Sequence, residues 1–113
     1  MSQYIHLRKT SEFQYVYQHG KSYANYYFVM YLLPNGTSEN RLGISVSKKV
    51  GNSVVRHRIM RLVREAYRLN KMKLNGGFDI VFIARAGVKE KNFWDVEKAM
   101  LHLCRKHDII RKD

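Results

Sequence analysis

The segment from Asn52 to Lys73 constrains the fold most, because its apolar residues occupy only one side of a helix. Asn52 or Ser53 is expected to cap this helix, which we expect to run to about Lys73. At about 100° per residue, six apolar side chains fall within a sector of roughly 120°: Val55, Ile59, Leu62, Val63, Ala66 and Leu69. A helix with a single apolar stripe must pack that stripe against another layer of the structure.

Three apolar segments predict a sheet as that layer. The first, YANYYFVMYLL, is rich in aromatic and β-branched residues and stops at PNG. It is followed by RLGISVSK, in which apolar and small residues alternate, so the two segments predict an antiparallel hairpin. After Gly76 and Gly77, which end the long helix, the segment FDIVFIAR predicts a buried strand.

Two more helices complete the order of elements. In TSEFQYVYQHG, Ser11 is the expected cap, Gln14 occupies the capping-box position and Gly20 is the expected stop. Asn92 is expected to cap the last helix, whose inner stripe is Phe93, Val96, Met100 and Leu103. The order α-β-β-α-β-α predicts an α/β (α+β) two-layer sandwich, and residues 1–113 are expected to form a single domain.

Positive charge is concentrated in the middle of the chain. The net charge is +12, and residues 41–73 hold ten basic side chains and one acidic one. Residues 1–40 hold three basic and two acidic side chains, and residues 74–113 hold eight and six. Such clustering indicates a polyanionic partner rather than general solubility.

Arginines dominate the polar side of the long helix, where Glu65 is the only acid. A solvated helix face usually mixes both signs of charge, whereas arginine favours forked hydrogen bonding to phosphate. The loop before the helix adds two lysines, and Gly51 and Asn52 lead into a helix N-terminus that suits a phosphate. The residues expected to contact RNA on this surface are Lys48, Lys49, Asn52, Arg56, Arg58, Arg61, Arg64 and Arg68.

Seven aromatic residues crowd the first helix and the first predicted strand. Most are expected to pack in the core, and two or three are expected to line a groove beside the arginines, where unpaired bases would stack on them. The seven are Phe13, Tyr17, Tyr23, Tyr26, Tyr27, Phe28 and Tyr31.

The stretch RLGISVSKKVGNSVVRHRIMRLVREAY resembles the RNR signature of the protein subunit of bacterial ribonuclease P, usually close to K-x-G-N-A-V-x-R-N-R-x-K-R-x-x-R-E. EFQYVYQHGKSYANYYFVMY and FDIVFIAR are similar to the family's neighbouring elements, so the resemblance covers most of residues 8–86. Two positions depart from the signature: His57 stands where Asn is usual, and Met60 where Lys is usual.

The resemblance implies a βαβ unit with a left-handed crossover, which the general right-handed rule would not predict. It also implies two RNA partners, a large catalytic RNA and the single-stranded 5′ leader of precursor tRNA, with no protein partner required. Phe13, Tyr17 and Tyr31 match aromatic residues of the leader cleft, and Ser45 matches a polar one. Catalysis is expected in the RNA, which uses its own Mg²⁺, so none of the protein's residues is expected to be catalytic and none to bind a metal.

The residues themselves agree with a protein that does no chemistry alone. The nine acids are scattered, without the clustered carboxylates that a two-metal nuclease needs, and no zinc-type ligand set or nucleotide-binding loop appears. The alternatives are a structural or chaperone-like RNA-binding protein such as a ribosomal protein, then a DNA-binding helix. No membrane-length apolar run or signal peptide is evident, and the single Cys104, expected to be a packed helix residue, suits a reducing compartment, so a cytoplasmic location is expected.

Overall fold

The computed structural model describes residues 4–112, which form three α-helices around a five-stranded sheet. Two short 3₁₀ turns follow α2 and β5, at Lys71–Lys73 and Ala86–Val88. The main elements in chain order are β1 (Ile5–His6), α1 (Thr10–His19), β2 (Lys21–Ala24), β3 (Phe28–Pro34), β4 (Arg41–Ser45), α2 (Ser53–Asn70), β5 (Phe78–Ala84) and α3 (Phe93–Lys106).

The sheet order β1-β4-β5-β3-β2 shows that one sequence prediction is wrong. β3 and β4 were expected to pair as a hairpin, yet β5 lies between them, antiparallel to β3 and parallel to β4. A buried position on both sides suits β5, because its run FDIVFIA is apolar almost throughout. Central placement of this apolar strand therefore overrides the tendency of neighbours in sequence to pair.

A different hairpin covers the segment KSYANYYFVMYLLP. β2 and β3 pair antiparallel across a short turn in which Asn25 Oδ1 accepts hydrogen bonds from the backbone N–H groups of Tyr27 and Phe28. Because the Asn25 side chain stabilises the turn, no glycine is needed there. The sequence therefore lacks the glycine that commonly marks a hairpin turn. β1, a two-residue strand that pairs parallel to β4, was also not predicted.

Helices cover both faces of the sheet, and the mixed α+β class is confirmed. The larger core lies under α2 and α3 and contains Phe28, Met30, Ile80 and Phe82. On the other face, α1 packs Val16 onto Val81 in a smaller cluster. The two-layer arrangement expected from the sequence is thus extended by a third, partial layer. The parallel strands β4 and β5 are joined through α2, and the left hand of this crossover stays a prediction.

The caps of α2 and α3 are as predicted, and that of α1 is not. Asn52 and Asn92 accept hydrogen bonds from the backbone N–H groups of Val55 and Asp95. α1 begins one residue before Ser11, and the carboxylate of Glu12 accepts the N–H groups of Arg8 and Lys9 at 3.0 and 2.9 Å. The charged Glu12 carboxylate is a stronger acceptor for the N–H groups of Arg8 and Lys9 than a neutral hydroxyl, such as that of Ser11, would be.

The apolar stripe of α2 is confirmed at its centre and wrong at its end. Ile59, Val63 and Ala66 are buried, but Leu69 is exposed, while Asn70 is buried instead. Asn70 Nδ2 donates to Glu97 Oε2 of α3 at 2.8 Å. The helix packs against α3 as well as the sheet, and this rotates the buried sector away from Leu69. Over the described part of the chain, no helix is long and apolar enough to cross a membrane.

Candidate nucleic-acid interface

The resemblance predicts a cleft between α1 and the sheet, in a region where Phe13 approaches the sheet closely. Tyr31, Val81 and Gly43 are neighbours across β3, β5 and β4 on the face beneath α1. A Cβ at Gly43 would lie 2.7 Å from the Phe13 ring. A larger residue at position 43 would require the Phe13 ring to shift, so glycine here allows the ring to lie against the sheet. We call this groove the α1 cleft; its predicted members are Phe13, Tyr17, Tyr31 and Ser45.

Tyr17, Tyr31 and Ser45 meet in the α1 cleft. The rings of Tyr17 and Tyr31 are 5.1 Å apart between centroids and meet edge to face. Burial raises the pKa of Tyr17, and a hydrogen bond with the Ser45 side chain opposes that shift. Both tyrosines are half-buried and keep part of each ring open to solvent. The structure therefore brings together the four residues that the resemblance assigned to one cleft.

An ion-pair network fixes the first turn of α1 to the sheet. Arg41 of β4 donates to both oxygens of the buried Asp79, from Nε at 2.8 Å and from Nη2 at 2.7 Å. Its Nη1 donates to Glu12 Oε2 at 3.0 Å. The pKa of Glu12 is held low, first by the backbone N–H groups of Lys9 and Arg8 and then by Arg41. No local pattern in the sequence indicates this network, which joins residues far apart in the chain.

The α1 cleft continues into the basic loop through β4. Ser45 ends this strand, and residues 46–52 then lead to the first turn of α2. Lys48 and Lys49 are exposed in the loop, and Asn52 caps the helix. The predicted polar residue of the cleft is thus only a few residues from the predicted phosphate site.

Four arginines of α2 have no acidic partner within residues 4–112, and we call them the arginine face: Arg56, Arg58, Arg61 and Arg64. Arg68 differs, because it forms an ion pair with Glu65 one turn earlier. The departures from the family signature also lie on α2, with His57 exposed and Met60 half-buried. A helix surface with unpaired guanidinium groups is suited to bind phosphates.

Contacts with other elements extend the arginine face. Arg58 Nη2 donates to the backbone carbonyl of Lys91 at 2.9 Å, which places a cation from the loop before α3 beside α2. At the other end, Arg64 lies close to His6 of β1. The pKa of His6 is lowered, first by burial, then by the charge of Arg8 and then by that of Arg64. Sequence reasoning missed Lys91, because its position depends on a tertiary contact 33 residues away in the chain.

The predicted residues form two surfaces rather than one. The α1 cleft lies on the face of the sheet that α1 covers, whereas α2 and the arginine face lie on the opposite side. The loop of residues 46–52 connects the two. A single strand of RNA in the cleft and a folded RNA on α2 would therefore touch separate parts of the protein.

The described residues do not fit a metal centre or a reactive thiol. Within residues 4–112, no three His, Cys, Asp or Glu side chains are grouped so that they could hold a metal ion. Cys104 is buried in α3, and burial raises its pKa to about 12, so the thiolate is not available as a nucleophile. It is a packed helix residue, as predicted.

Comparisons with known proteins agree with this geometry. A family model described as Ribonuclease P matches residues 1–108. The ribonuclease P protein component of Lachnoclostridium phytofermentans is 59% identical over 104 residues, covering 92% of this chain and 90% of that protein. The same component of Clostridioides difficile is 51% identical, covering 91% of each.

Solved structures are similar over nearly the whole chain. The RNase P protein of Staphylococcus aureus superimposes with a TM-score of 0.86 at 34% identity, covering 94% of this chain and 97% of that one. The RNase P protein of Thermotoga maritima superimposes with a TM-score of 0.83 at 37% identity, covering 89% and 96%.

Proposed function

The chain belongs to the ribonuclease P protein family, the protein subunit of the ribonucleoprotein that matures the 5′ end of tRNA, and from that premise we propose how its two surfaces divide the work. The α1 cleft holds the single-stranded 5′ leader of precursor tRNA. The arginine face, with Lys48, Lys49, Asn52 and Arg68, binds the catalytic RNA. No further protein is required, and the complex works in the cytoplasm.

One observation carries this proposal: a cluster of half-buried rings beside α1 adjoins a basic loop and a helix whose arginines lack acidic partners among residues 4–112. Unpaired bases stack on aromatic rings, and arginines neutralise the phosphates between and beyond them. Tyr17 and Tyr31 supply the rings, and Ser45 supplies a hydroxyl for a base or sugar edge. The pairing of rings with cations favours single-stranded RNA as the ligand of the cleft.

The protein's contribution to cleavage is electrostatic and positional. Unpaired arginines reduce repulsion between the catalytic RNA and the precursor, which lowers the magnesium concentration that the complex needs. In this proposal Mg²⁺ is held by the catalytic RNA, as the family resemblance implies, and the protein supplies no ligand for it. The leader, held in the α1 cleft, aligns the scissile phosphate with that RNA site.

Leader binding is tested by Tyr17→Ala. We expect the substitution to weaken binding of a precursor tRNA with its leader by about 1–3 kcal/mol, because one base loses its stacking partner. Binding of the same tRNA without a leader should be unchanged. The measurement is a pair of equilibrium titrations with the reconstituted holoenzyme, one for each substrate.

Tyr15→Ala is the matched control, because Tyr15 is an exposed tyrosine of the same helix that stacks on His19 outside the cleft. It should bind both substrates as the wild type does. Equal losses on both substrates for Tyr17→Ala would show that Tyr17 only supports the fold, and would contradict the cleft assignment. The alternative of a ribosomal or chaperone-like RNA-binding protein predicts no dependence on the leader, and the family membership does not favour it.

A further inference from the structure

Two more rings lie outside the α1 cleft, at the turn between β2 and β3, where Tyr26 is exposed and Tyr27 is half-buried. There a pocket of about 310 Å³ opens between the turn and α3. Its walls include Asn25, Tyr26 and Tyr27 from the turn and Asp95, Lys98 and His102 from α3. We call it the Tyr26 pocket. Nothing in the α1 cleft or the arginine face accounts for it.

Tyr26 is exposed and yet held in place. The side chain is 75% exposed, although a Cβ at Gly87 would lie only 2.4 Å from ring atom Cε2. The ring therefore rests against the backbone of Gly87 and leaves its other side open. The ring of Tyr27 meets it edge to face at 5.8 Å. An aromatic ring supported in this way is a ready stacking surface, because little rotational freedom is lost when a base binds.

The polar rim of the pocket is oriented by Asn25. Its Oδ1 accepts two backbone N–H groups, so its Nδ2 must be the donor to the Ala99 carbonyl at 3.0 Å and to His102 Nδ1 at 3.2 Å. His102 Nδ1 is then the acceptor, and in the neutral ring Nε2 carries the hydrogen. With Lys98 as a second donor and Asp95 as an acceptor, the rim presents both kinds of group that a base edge needs.

Lys91 links the Tyr26 pocket to the arginine face. Lys91 Nζ lies 5.7 Å from the centre of the Tyr27 ring, and the carbonyl of the same lysine accepts from Arg58 Nη2. The turn also lies at the end of the sheet at which β4 ends and the basic loop begins. Phe28 pairs with Ala84 of β5, and Ser45 pairs with Ile83, the residue next to Ala84. Phosphates bound to the basic surface would therefore bring nucleotides to this pocket.

We propose that the Tyr26 pocket binds one unpaired nucleobase of an RNA whose phosphates lie on the arginine face, with Tyr26 as the stacking surface. The inference rests on the proposed function, because it takes RNA as the polyanion on that face. Fixed aromatic support, a rim of donors and an acceptor, and cations beside the rings favour a nucleotide over an apolar peptide or a lipid.

The test uses the full chain and two unpaired RNA probes of about ten nucleotides, one an oligoadenylate and the other an abasic strand with the same number of phosphates. For each protein, the measured quantity is the ratio of its affinity for the oligoadenylate to its affinity for the abasic strand. The four proteins are the wild type, Tyr26→Ala, Tyr26→Phe and Tyr15→Ala. Tyr26→Ala should reduce the preference for the base-bearing strand by about fivefold or more, as expected for one lost stacking contact. Tyr26→Phe and Tyr15→Ala should keep it.

An unchanged preference in Tyr26→Ala would overturn the proposal, and so would an equal loss in Tyr15→Ala. The experiment separates this inference from the leader-binding function, because the leader is tested through Tyr17. If Tyr17→Ala loses its leader-dependent binding while Tyr26→Ala behaves as the wild type, the pocket is refuted and the function stands. If Tyr26→Ala loses the base preference and the wild type shows no leader dependence, the leader assignment fails instead.

Discussion

Arg64 and Arg68 stand one turn apart on α2, but their surroundings differ. Arg68 is paired with Glu65, and a hydrogen bond from Arg68 lowers the pKa of that carboxyl group. Arg64 has no carboxylate within ion-pair distance among residues 4–112. The two arginines should therefore contribute unequally to RNA binding, although the sequence pattern treats them alike.

We predict that Arg64→Ala makes the slope of log K against log salt shallower by about 0.7–1, because one phosphate contact and its released counterion are lost. Arg68→Ala should change the slope less, since Glu65 already offsets part of its charge. Filter-binding titrations with the catalytic RNA over a range of salt concentrations measure both. Arg105→Ala, which removes an exposed arginine from α3, serves as the control. A slope in Arg64→Ala equal to that of the wild type would contradict the role of the arginine face.

The sequence predicts candidate site residues where the cause is local or shared with relatives. The spacing of the arginines follows from helix geometry, and the resemblance located Phe13, Tyr17, Tyr31 and Ser45. The roles of Gly43, Arg41 and Lys91 were not predictable in this way. Each depends on a neighbour distant in the chain, and nothing in the local pattern of residues marks such a contact.

Among the elements, α1 depends most on a polar contact for its position. Within residues 4–112 it is the only helix on its face of the sheet, and its buried cluster is small. Arg41 links its first turn to Asp79 of β5, which is 5% exposed. The placement of the cleft aromatics thus depends on an ion pair as well as on apolar packing.

We predict that Arg41→Ala destabilises the protein by about 2–4 kcal/mol, because it leaves the buried Asp79 with only Asn35 as a side-chain partner. Glu12→Gln should cost less, since it removes only the more exposed end of the network. Urea unfolding of the two variants and the wild type gives the comparison. Equal effects of the two substitutions would show that Asp79 does not depend on Arg41.

α3 is docked onto the sheet at its C-terminal end by His107. Nε2 of this residue lies 2.9 Å from the Met30 carbonyl, and its ring meets Tyr23 edge to face at 4.7 Å. Burial lowers the pKa of His107 from its ordinary 6.5; the Met30 hydrogen bond opposes this shift, and Lys21 adds to it. The folded state therefore binds a proton at this site less readily than the unfolded state does.

The free energy of unfolding should consequently fall as the pH decreases from about 6.5 towards the lower pKa of the folded state, and should be fully restored above 6.5. In His107→Gln this part of the pH dependence should disappear. Urea midpoints between about pH 5 and pH 8 measure it in both proteins. Parallel pH profiles for the wild type and His107→Gln would exclude His107 as the titrating group.

The helices and their order were predictable, and the pairing of the strands was not. Apolar periodicity and Asn caps located α2 and α3. The pairing of β3 with β5 rather than β4 depends on which strand is buried on both faces, a property of the assembled sheet. The apolar run of β5 carried the signal for a central strand, but short-range pairing of β3 and β4 was the simpler expectation.

On the scale of the whole molecule, one sheet separates the two proposed binding surfaces. The α1 cleft faces one way and the arginine face the other, and the loop of residues 46–52 joins them. A protein of this form can hold two RNA segments at once without contributing a reactive group. Under the proposed function, cleavage should therefore depend on the protein and yet take place in the RNA.

Cleavage of a precursor tRNA at low magnesium tests this requirement most directly. The reactions contain the catalytic RNA alone, the protein alone, and the two together. We predict leader removal only by the combination, at a magnesium concentration that does not support the RNA alone. Cleavage by the protein alone, or no stimulation by a protein that still binds the RNA, would contradict it.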